Sequence, residues 1–365
     1  MRAIVATPGT PHSVRLTERE RPRPAAGEYL IKVLDVGIDG TDEEIDSGEY
    51  GAPPAGETVL TIGHECIGVI VEESLELATF SRGDLVVPTV RRPCPERCLN
   101  CRNGEFDFCI TGNYRERGIS QLHGYMSDYY AESPDCLVLI PPALRSVGVL
   151  LEPLSIAEKA FREIDTIQKR MRWVPRRALI TGAGGLGMLT ACLARLRGYE
   201  TTVYSLGTTD GARSHIIRQL GLTYIDADGN SLADVARQVG PPDVIFEATG
   251  HSPLAWEAMG ILGINGVACL LSVTGGELGV EIPSNELNNR MVLGNRVVFG
   301  SVNAHRRDFE QGVDDLAAIE ERWPGALASF ETRRLPMDRI REALDDSDPT
   351  QLKSIIEVAT DGANG

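Results

Sequence analysis

Residues 1–92 alternate short apolar runs with polar turns, and nowhere among them do apolar positions recur at the three- to four-residue spacing of a long helix. Residues 29–36 (Tyr-Leu-Ile-Lys-Val-Leu-Asp-Val) and 68–71 (Gly-Val-Ile-Val) have strand composition, and 80–87 supply a further turn and strand. Pro, Gly and Asp punctuate these runs, so the pattern predicts a small β-rich domain. Beyond residue 173 the pattern changes. A strand over 177–181, a glycine-rich turn, an amphipathic helix over 188–197 and a second strand over 201–206 make a βαβ unit. Residues 243–250 and 266–273 read as the fourth and fifth strands of the same sheet. Strands that alternate with helical segments predict a parallel, doubly wound sheet, so the fold class is α/β. Near 297–303 the chain is expected to leave this second domain. The charged, helical tail, with a last strand near 355–358, is expected to pack back on the first. The predicted boundaries are 1–173 with 303–365 for the β-rich domain and 174–302 for the other.

A chain of 365 residues is long enough for two such cores, and 42% hydrophobic with 24% charged residues is the balance of an ordinary globular protein. The formal net charge of −16 argues against nucleic acid or an anionic membrane as a partner. Lysine is confined to Lys32, Lys159, Lys169 and Lys353, so the positive charge is almost all Arg. The least polar window, 178–194, holds Gly182, Gly184, Gly185 and Gly187, which suits a nucleotide-binding turn better than a membrane span. Residues 1–6 lack the apolar run of a secretion signal, and a cytoplasmic location is expected. In that compartment eight cysteines read as metal ligands or buried thiols rather than disulfides.

The glycine-rich turn has the context that a dinucleotide site requires: a strand before it and a helix after it. Gly182 permits the tight turn, Gly184 lets the backbone approach a pyrophosphate, and Gly187 allows close packing of helix on strand. Gly185 and Leu186 complete the turn, and the N-terminus of the helix that follows faces the phosphates with free N–H groups. The second strand ends in Leu206-Gly207-Thr208-Thr209 with no acid at its tip, so a 2′-phosphate meets no repulsion there. Gly207, Thr208, Thr209 and Arg213 are the candidate contacts for that end of the cofactor, with Thr249 at the end of the fourth strand. NADP is favoured, with NAD as a credible second cofactor.

Two further stretches carry metal-type chemistry. Cys94, Cys98, Cys101 and Cys109 crowd one turn-rich loop, and four soft ligands so spaced can close tetrahedrally around one zinc ion. Between Gly63 and Gly68, His64 and Glu65 place an imidazole beside a carboxylate; alone, this fits a metal site or a turn with a solvated pair equally well.

Taken together, these motifs resemble the zinc-dependent medium-chain dehydrogenases over essentially the whole chain. Within them the nearest resemblance is to archaeal-type glucose 1-dehydrogenases. The resemblance rests on the order Asp39, His64-Glu65, the cysteine loop, Arg115-Glu116-Arg117-Gly118, Glu152-Pro153 and the glycine-rich turn. It implies a GroES-like β-rich catalytic domain and a Rossmann nucleotide domain. It also implies a catalytic zinc held by Asp39, His64 and Glu152, with Glu65 as an intermittent fourth ligand, and a structural zinc on the four cysteines. Asp39 stands where the family usually has Cys. Both ligands carry one negative charge, and zinc accepts oxygen at ~2.0–2.2 Å against ~2.3 Å for sulfur. The first cysteine gap is one residue longer than usual, which touches Cys94 most. Thr41 is implied as the hydroxyl that relays the substrate proton, and Glu116 and Asn303 as sugar contacts. Glu152 precedes Pro153, so an extended segment is expected to end there and a helix to begin.

The implied reaction is NAD(P)-dependent oxidation of D-glucose at C1 to the lactone by a homodimer or homotetramer. Oxidation of another aldose, a polyol or an alcohol, which a substrate panel separates, is the nearest alternative. A non-catalytic or zinc-free dinucleotide binder, which metal content separates, is the other.

Overall fold

The computed structural model describes residues 1–73, 78–207, 211–274, 278–345, 348 and 351–359. Its contacts divide the chain into Met1–Ser155, Asn303–Leu316 and Glu331–Gly365 as one unit, and Ile156–Val302 with Ala317–Phe330 as the other. The expected boundary at 173 therefore moves: most of the helix Leu151–Gln168 belongs with the second unit. Phe161 explains the move, because its ring packs at 4.6 Å from Phe246 and 6.0 Å from Tyr199.

The first unit is organised on the ten-residue strand Tyr29–Ile38, whose positions are almost all buried. One edge pairs antiparallel with Glu65–Glu72. The other edge is shared by Tyr129–Glu132 along its first half and Lys353–Glu357 along its second. This extends to a seven-stranded sheet whose apolar face packs Ile31, Val33, Val36, Cys66, Ile70, Tyr125 and Ile356 into one core. The tail thus returns as a sheet strand, as the sequence predicts. Two features depart from the expected pattern. A helix, Gly40–Ser47, follows the central strand directly. No extended segment precedes Pro153: a 3₁₀ turn over Gly148–Leu150 runs straight into the helix Leu151–Gln168, with Glu152 in its first turn. A proline that close to a helix start removes an N–H that has no intrahelical partner there, so the helix tolerates it.

The second unit holds six parallel strands in the order Thr223–Asp226, Glu200–Ser205, Arg177–Thr181, Val244–Glu247, Val267–Leu270, Val297–Gly300. Numbered along the chain this is 3-2-1-4-5-6, the doubly wound order of dinucleotide-binding sheets. The helix after the first strand spans Gly185–Leu196, three residues earlier than its apolar period suggests, because the glycine turn itself supplies the helix start.

Candidate active site

Asp39 follows the central strand with an extended backbone and caps the helix Gly40–Ser47. Its Oδ1 accepts the N–H groups of Thr41 at 2.9 Å and Asp42 at 3.3 Å, and its Oδ2 accepts the Thr41 hydroxyl at 3.2 Å. Asp42 answers by accepting the Asp39 N–H at 3.3 Å, which closes a reciprocal cap. The same Asp39 Oδ2 lies 3.4 Å from Nε2 of buried His64.

The turn before His64 is made by Gly63 at φ +86°, a conformation that favours glycine. Against its carbonyl lie Gly118 and Gly124, where an added Cβ would each come within 2.3 Å. The His64 turn is therefore wedged against the segment that carries Glu116.

Glu65 starts the neighbouring strand opposite Gly37. Residues directly opposite share a face of the sheet, and so do residues two apart. Gly37, Glu65, Ile355 and Lys353 therefore point the same way. Lys353 Nζ donates to both Glu65 oxygens at 2.7 Å and to the Ile38 carbonyl at 3.2 Å. Glycine is required at 37 because a Cβ there would stand 2.1 Å from Glu65 Oε2. Neither Lys353 nor Gly37 belongs to a recognisable sequence motif. The one available signal was the rarity of lysine.

Burial and charge set the protonation of this cluster. Burial opposes the His64 charge, but the Asp39 carboxylate beside it holds the imidazole well above its usual value. Burial likewise opposes the Asp39 charge, and His64 and Lys353 outweigh it, so this carboxyl lies below the usual range. Burial wins at the other three acids: Asp42 is pushed up to about 7 and Glu152 to about 8, and the Glu65 carboxyl is raised despite Lys353. Lys353 stays an ammonium, since Glu65 and Asp39 together exceed the cost of its burial.

Ligand atoms of Asp39, His64 and Glu65 lie within 4.8 Å of one another. Glu152 does not join that group, although the charges of His64, Glu65 and Asp39 act on its buried carboxyl. His64 Nδ1 and Asp42 Oδ1 are buried without a hydrogen-bond partner. One imidazole nitrogen, oxygen donors and an excess of buried acid over Lys353 suit a divalent cation, so the residues fit a zinc ion.

The second cluster is sulfur only. The four Sγ atoms of Cys94, Cys98, Cys101 and Cys109 lie within 4.8 Å of one another, and all are free thiols. The longer first gap does not take Cys94 out of the group: its Sγ accepts the Cys98 N–H at 3.3 Å. Backbone N–H groups of Cys101 and Ile110 hold the Cys98 thiol down at about 6, in the range of a ready metal ligand. This cluster fits a closed zinc site.

Glu116 is buried, and its Oε1 accepts from Arg91 Nε and Nη2 at 3.0 and 2.9 Å and from Asn303 Nδ2 at 3.4 Å. The two predicted sugar contacts thus meet, with Arg91 as an unforeseen third member.

In the second unit Gly182 takes φ +96° with an added Cβ only 2.5 Å from the Ala248 carbonyl, and Gly187 packs on the Gly182 carbonyl. Gly184 caps the helix that Gly185 and Leu186 open. Thr249 donates its N–H at 2.7 Å, and its hydroxyl, to Glu247 Oε1. Gly207 donates its N–H to Asp226 Oδ1 at 3.2 Å. Arg213 is buried in the helix Gly211–Leu220, close enough for its charge to act on Tyr224. Thr208 and Thr209 lie outside the described residues.

A sulfur-only cluster and a nitrogen–oxygen centre on one β-rich unit, with a glycine-turn nucleotide sheet on the other, define a zinc-binding medium-chain dehydrogenase. Family models agree on both halves: an alcohol dehydrogenase GroES-like domain matches residues 25–142, and a glucose dehydrogenase C-terminus matches 145–358. The chain belongs to the glucose dehydrogenase family. It is 41% identical to a glucose 1-dehydrogenase of Methanocella arvoryzae over 98% of this chain and 99% of that one. It is 39% identical to glucose 1-dehydrogenase 1 of Haloterrigena turkmenica over the same shares. Among solved structures, Haloferax mediterranei glucose dehydrogenase in complex with NADP, Zn and gluconolactone superposes with a TM-score of 0.90 at 35% identity, covering 99% of this chain and all of that one.

Proposed function

We propose that this protein oxidises D-glucose at C1 to the lactone, passing hydride to NADP, with NAD as a second acceptor. The observation that carries the reading is the presence on one unit of the Asp39, His64 and Glu65 group and of a buried Glu116–Asn303 pair, in a chain whose relative of known structure binds NADP, Zn and gluconolactone. Asp39, His64 and Glu152 would hold the catalytic zinc, with Glu65 as the exchangeable donor. Bound there, zinc supplies a Lewis acid that lowers the pKa of the anomeric hydroxyl.

The remaining work falls to side chains. The Thr41 hydroxyl donates to Asp39 and so turns its lone pairs toward an incoming proton donor. Glu116 and Asn303 orient the sugar. Lys353 neutralises Glu65 and keeps it beside the centre. The helix start at Gly184–Leu186 receives the pyrophosphate, while Gly207, Arg213 and Thr249 serve the rest of the cofactor.

Purified protein given D-glucose and NADP should produce NADPH and lactone one for one, ahead of other aldoses, polyols and simple alcohols. Better turnover of another substrate would reassign the specificity, and no turnover of any would overturn the reading.

The active species is proposed to be a homodimer or homotetramer. The sheet ends in Val297–Gly300, which pairs on one side only among the described residues. The helix leading into it, Ser284–Leu293, buries none of its residues and exposes Val292 and Leu293 at 66% and 81%. An uncovered strand edge beside exposed apolar residues is a pairing surface. Light scattering that reports a monomer would contradict this. A cytoplasmic location is proposed as well, supported by eight free thiols. No described helix is long and apolar enough to cross a membrane.

A further inference from the structure

The cysteine lobe interrupts a ladder. The strand Arg91–Arg92 enters the lobe, the strand Arg115–Arg117 leaves it, and the two pair antiparallel with Arg91 opposite Glu116. Facing residues of such a pair project from the same side. The ladder therefore brings the Arg91 guanidinium onto the Glu116 carboxylate, where two N–H groups converge on Oε1. The third arm of the guanidinium, Nη1, donates at 3.2 Å to the backbone carbonyl of Asp107, inside the lobe between Cys101 and Cys109. Its flat face lies 3.6 Å from the centroid of the Tyr114 ring, at the lobe's exit. Arg91 and Glu116 are both buried. A planar, buried, three-way-anchored guanidinium has little rotational freedom, so it transmits the position of the lobe to the carboxylate. With Arg91 and Asn303 both on Oε1, Oε2 is left to accept a sugar hydroxyl.

We propose that Arg91 is a positioning residue through which the cysteine lobe sets the sugar-recognising carboxylate, so that the lobe governs substrate affinity as well as stability. The proposal rests on the reading of Glu116 as a sugar contact. Its consequence is specific. Disturbing the lobe or the Arg91 fork should weaken sugar binding and leave hydride transfer and cofactor binding almost intact, because Asp39 follows one strand of a different sheet and Glu65 begins another. The His64 turn meets the Glu116 segment through Gly118 and Gly124 rather than through the lobe.

The test uses the full-length, zinc-loaded enzyme and three variants: Arg91→Lys, Cys109→Ser and the double. Cys109 is the most exposed of the four thiols, so its loss endangers folding least. Lysine keeps the charge at 91 but cannot hold Glu116 and the Asp107 carbonyl at once. Arg91→Lys is expected to raise KM for D-glucose about tenfold with kcat and the KM for NADP within twofold, the signature of lost uniform binding. Calorimetric titration of D-glucose into enzyme holding NADPH should show the same weakening with no turnover involved. Among monodeoxyglucoses, the penalty should vanish for the one that lacks the hydroxyl Glu116 receives. Cys109→Ser should shift KM the same way, and in the double variant the two shifts should not add, since both act through Glu116. An unchanged glucose KM in Arg91→Lys, or additive shifts in the double variant, would overturn the proposal. If Cys109→Ser fails to fold, the Arg91→Lys and deoxyglucose results decide alone. A wild type that binds and oxidises no glucose would remove the reading of Glu116, and the proposal with it.

Discussion

The cysteine lobe draws its donors from residues 94–109, whereas Asp39, the adjacent His64 and Glu65, Glu152 and Lys353 come to the acid–histidine centre from four places along the chain. The lobe has almost no core of its own: Cys94, Cys98 and Cys101 are its buried members, with Phe106 and Cys109 against them. An ion there would replace apolar packing, and four sulfurs would leave it no free position. The acid–histidine centre is seated on a sheet that is already packed, and its buried charges are balanced in advance by Lys353 and His64. Its donors are hard, mixed and incompletely committed, with His64 Nδ1 and Asp42 Oδ1 still unpartnered. One centre is built to hold, and the other to exchange.

Breaking each centre in turn should expose that contrast. His64→Ala removes the nitrogen donor and should lower kcat/KM by at least about a thousandfold, comparable to loss of a principal catalytic group. Metal analysis should show one zinc lost and the lobe zinc kept. Cys109→Ser should do the reverse, losing the lobe zinc and lowering the melting temperature while kcat is nearly retained. Next in size is Lys353→Met, which strands Glu65 as a buried, uncompensated carboxylate and should cost about 3–5 kcal/mol in denaturant unfolding. Adding Glu65→Gln should recover most of that loss.

The effect of pH separates the two centres further. Asp42 at about 7 and Glu152 at about 8 keep protons in the folded, metal-free protein that an unfolded chain has released by about pH 5. Stripped protein should therefore lose stability as pH climbs from about 4 to 8, since over that span the folded state binds more protons than the unfolded one. The Glu152 proton must leave when that carboxyl takes a metal, and so must the proton that Asp39 holds on His64, so zinc affinity at this centre should rise with pH through about 8. Competition against a chromophoric chelator measures this, and Glu152→Gln should flatten the slope. The smallest expected effect is Gly37→Ala, whose methyl group would push on Glu65 Oε2 and should cost about 1–3 kcal/mol. Its partner in the comparison is Gly104→Ala in the lobe, which meets no atom within 4 Å; its cost is the strain of φ +82° alone.

The same contrast decides what could be read in advance. The lobe and the glycine turn are legible because each packs its chemistry into one short stretch with characteristic spacing. Asp39, His64 and Glu152 become a set only through likeness to a family, since nothing local joins them. Lys353 lies 288 positions from Glu65, and no periodicity announces that the tail strand will lay it across Gly37. Arg91 was hidden for a related reason: its partner Glu116 is its ladder neighbour only once the lobe between them has folded. The helix Gly40–Ser47 escaped because its mean pattern is polar, and its start depends on the cap that Asp39 and Asp42 build together.

The central claim is that hydride transfer is served by a sulfur-free centre, distinct from the lobe. Zinc K-edge absorption spectroscopy tests it most directly, on the fully loaded enzyme and again after a mild chelator has removed the more labile zinc. The account predicts a mixed shell before treatment and an all-sulfur shell afterwards, with glucose oxidation lost in step with the nitrogen–oxygen component and restored by added zinc. Sulfur in the shell of the labile ion, or full turnover after that ion has gone, would contradict it.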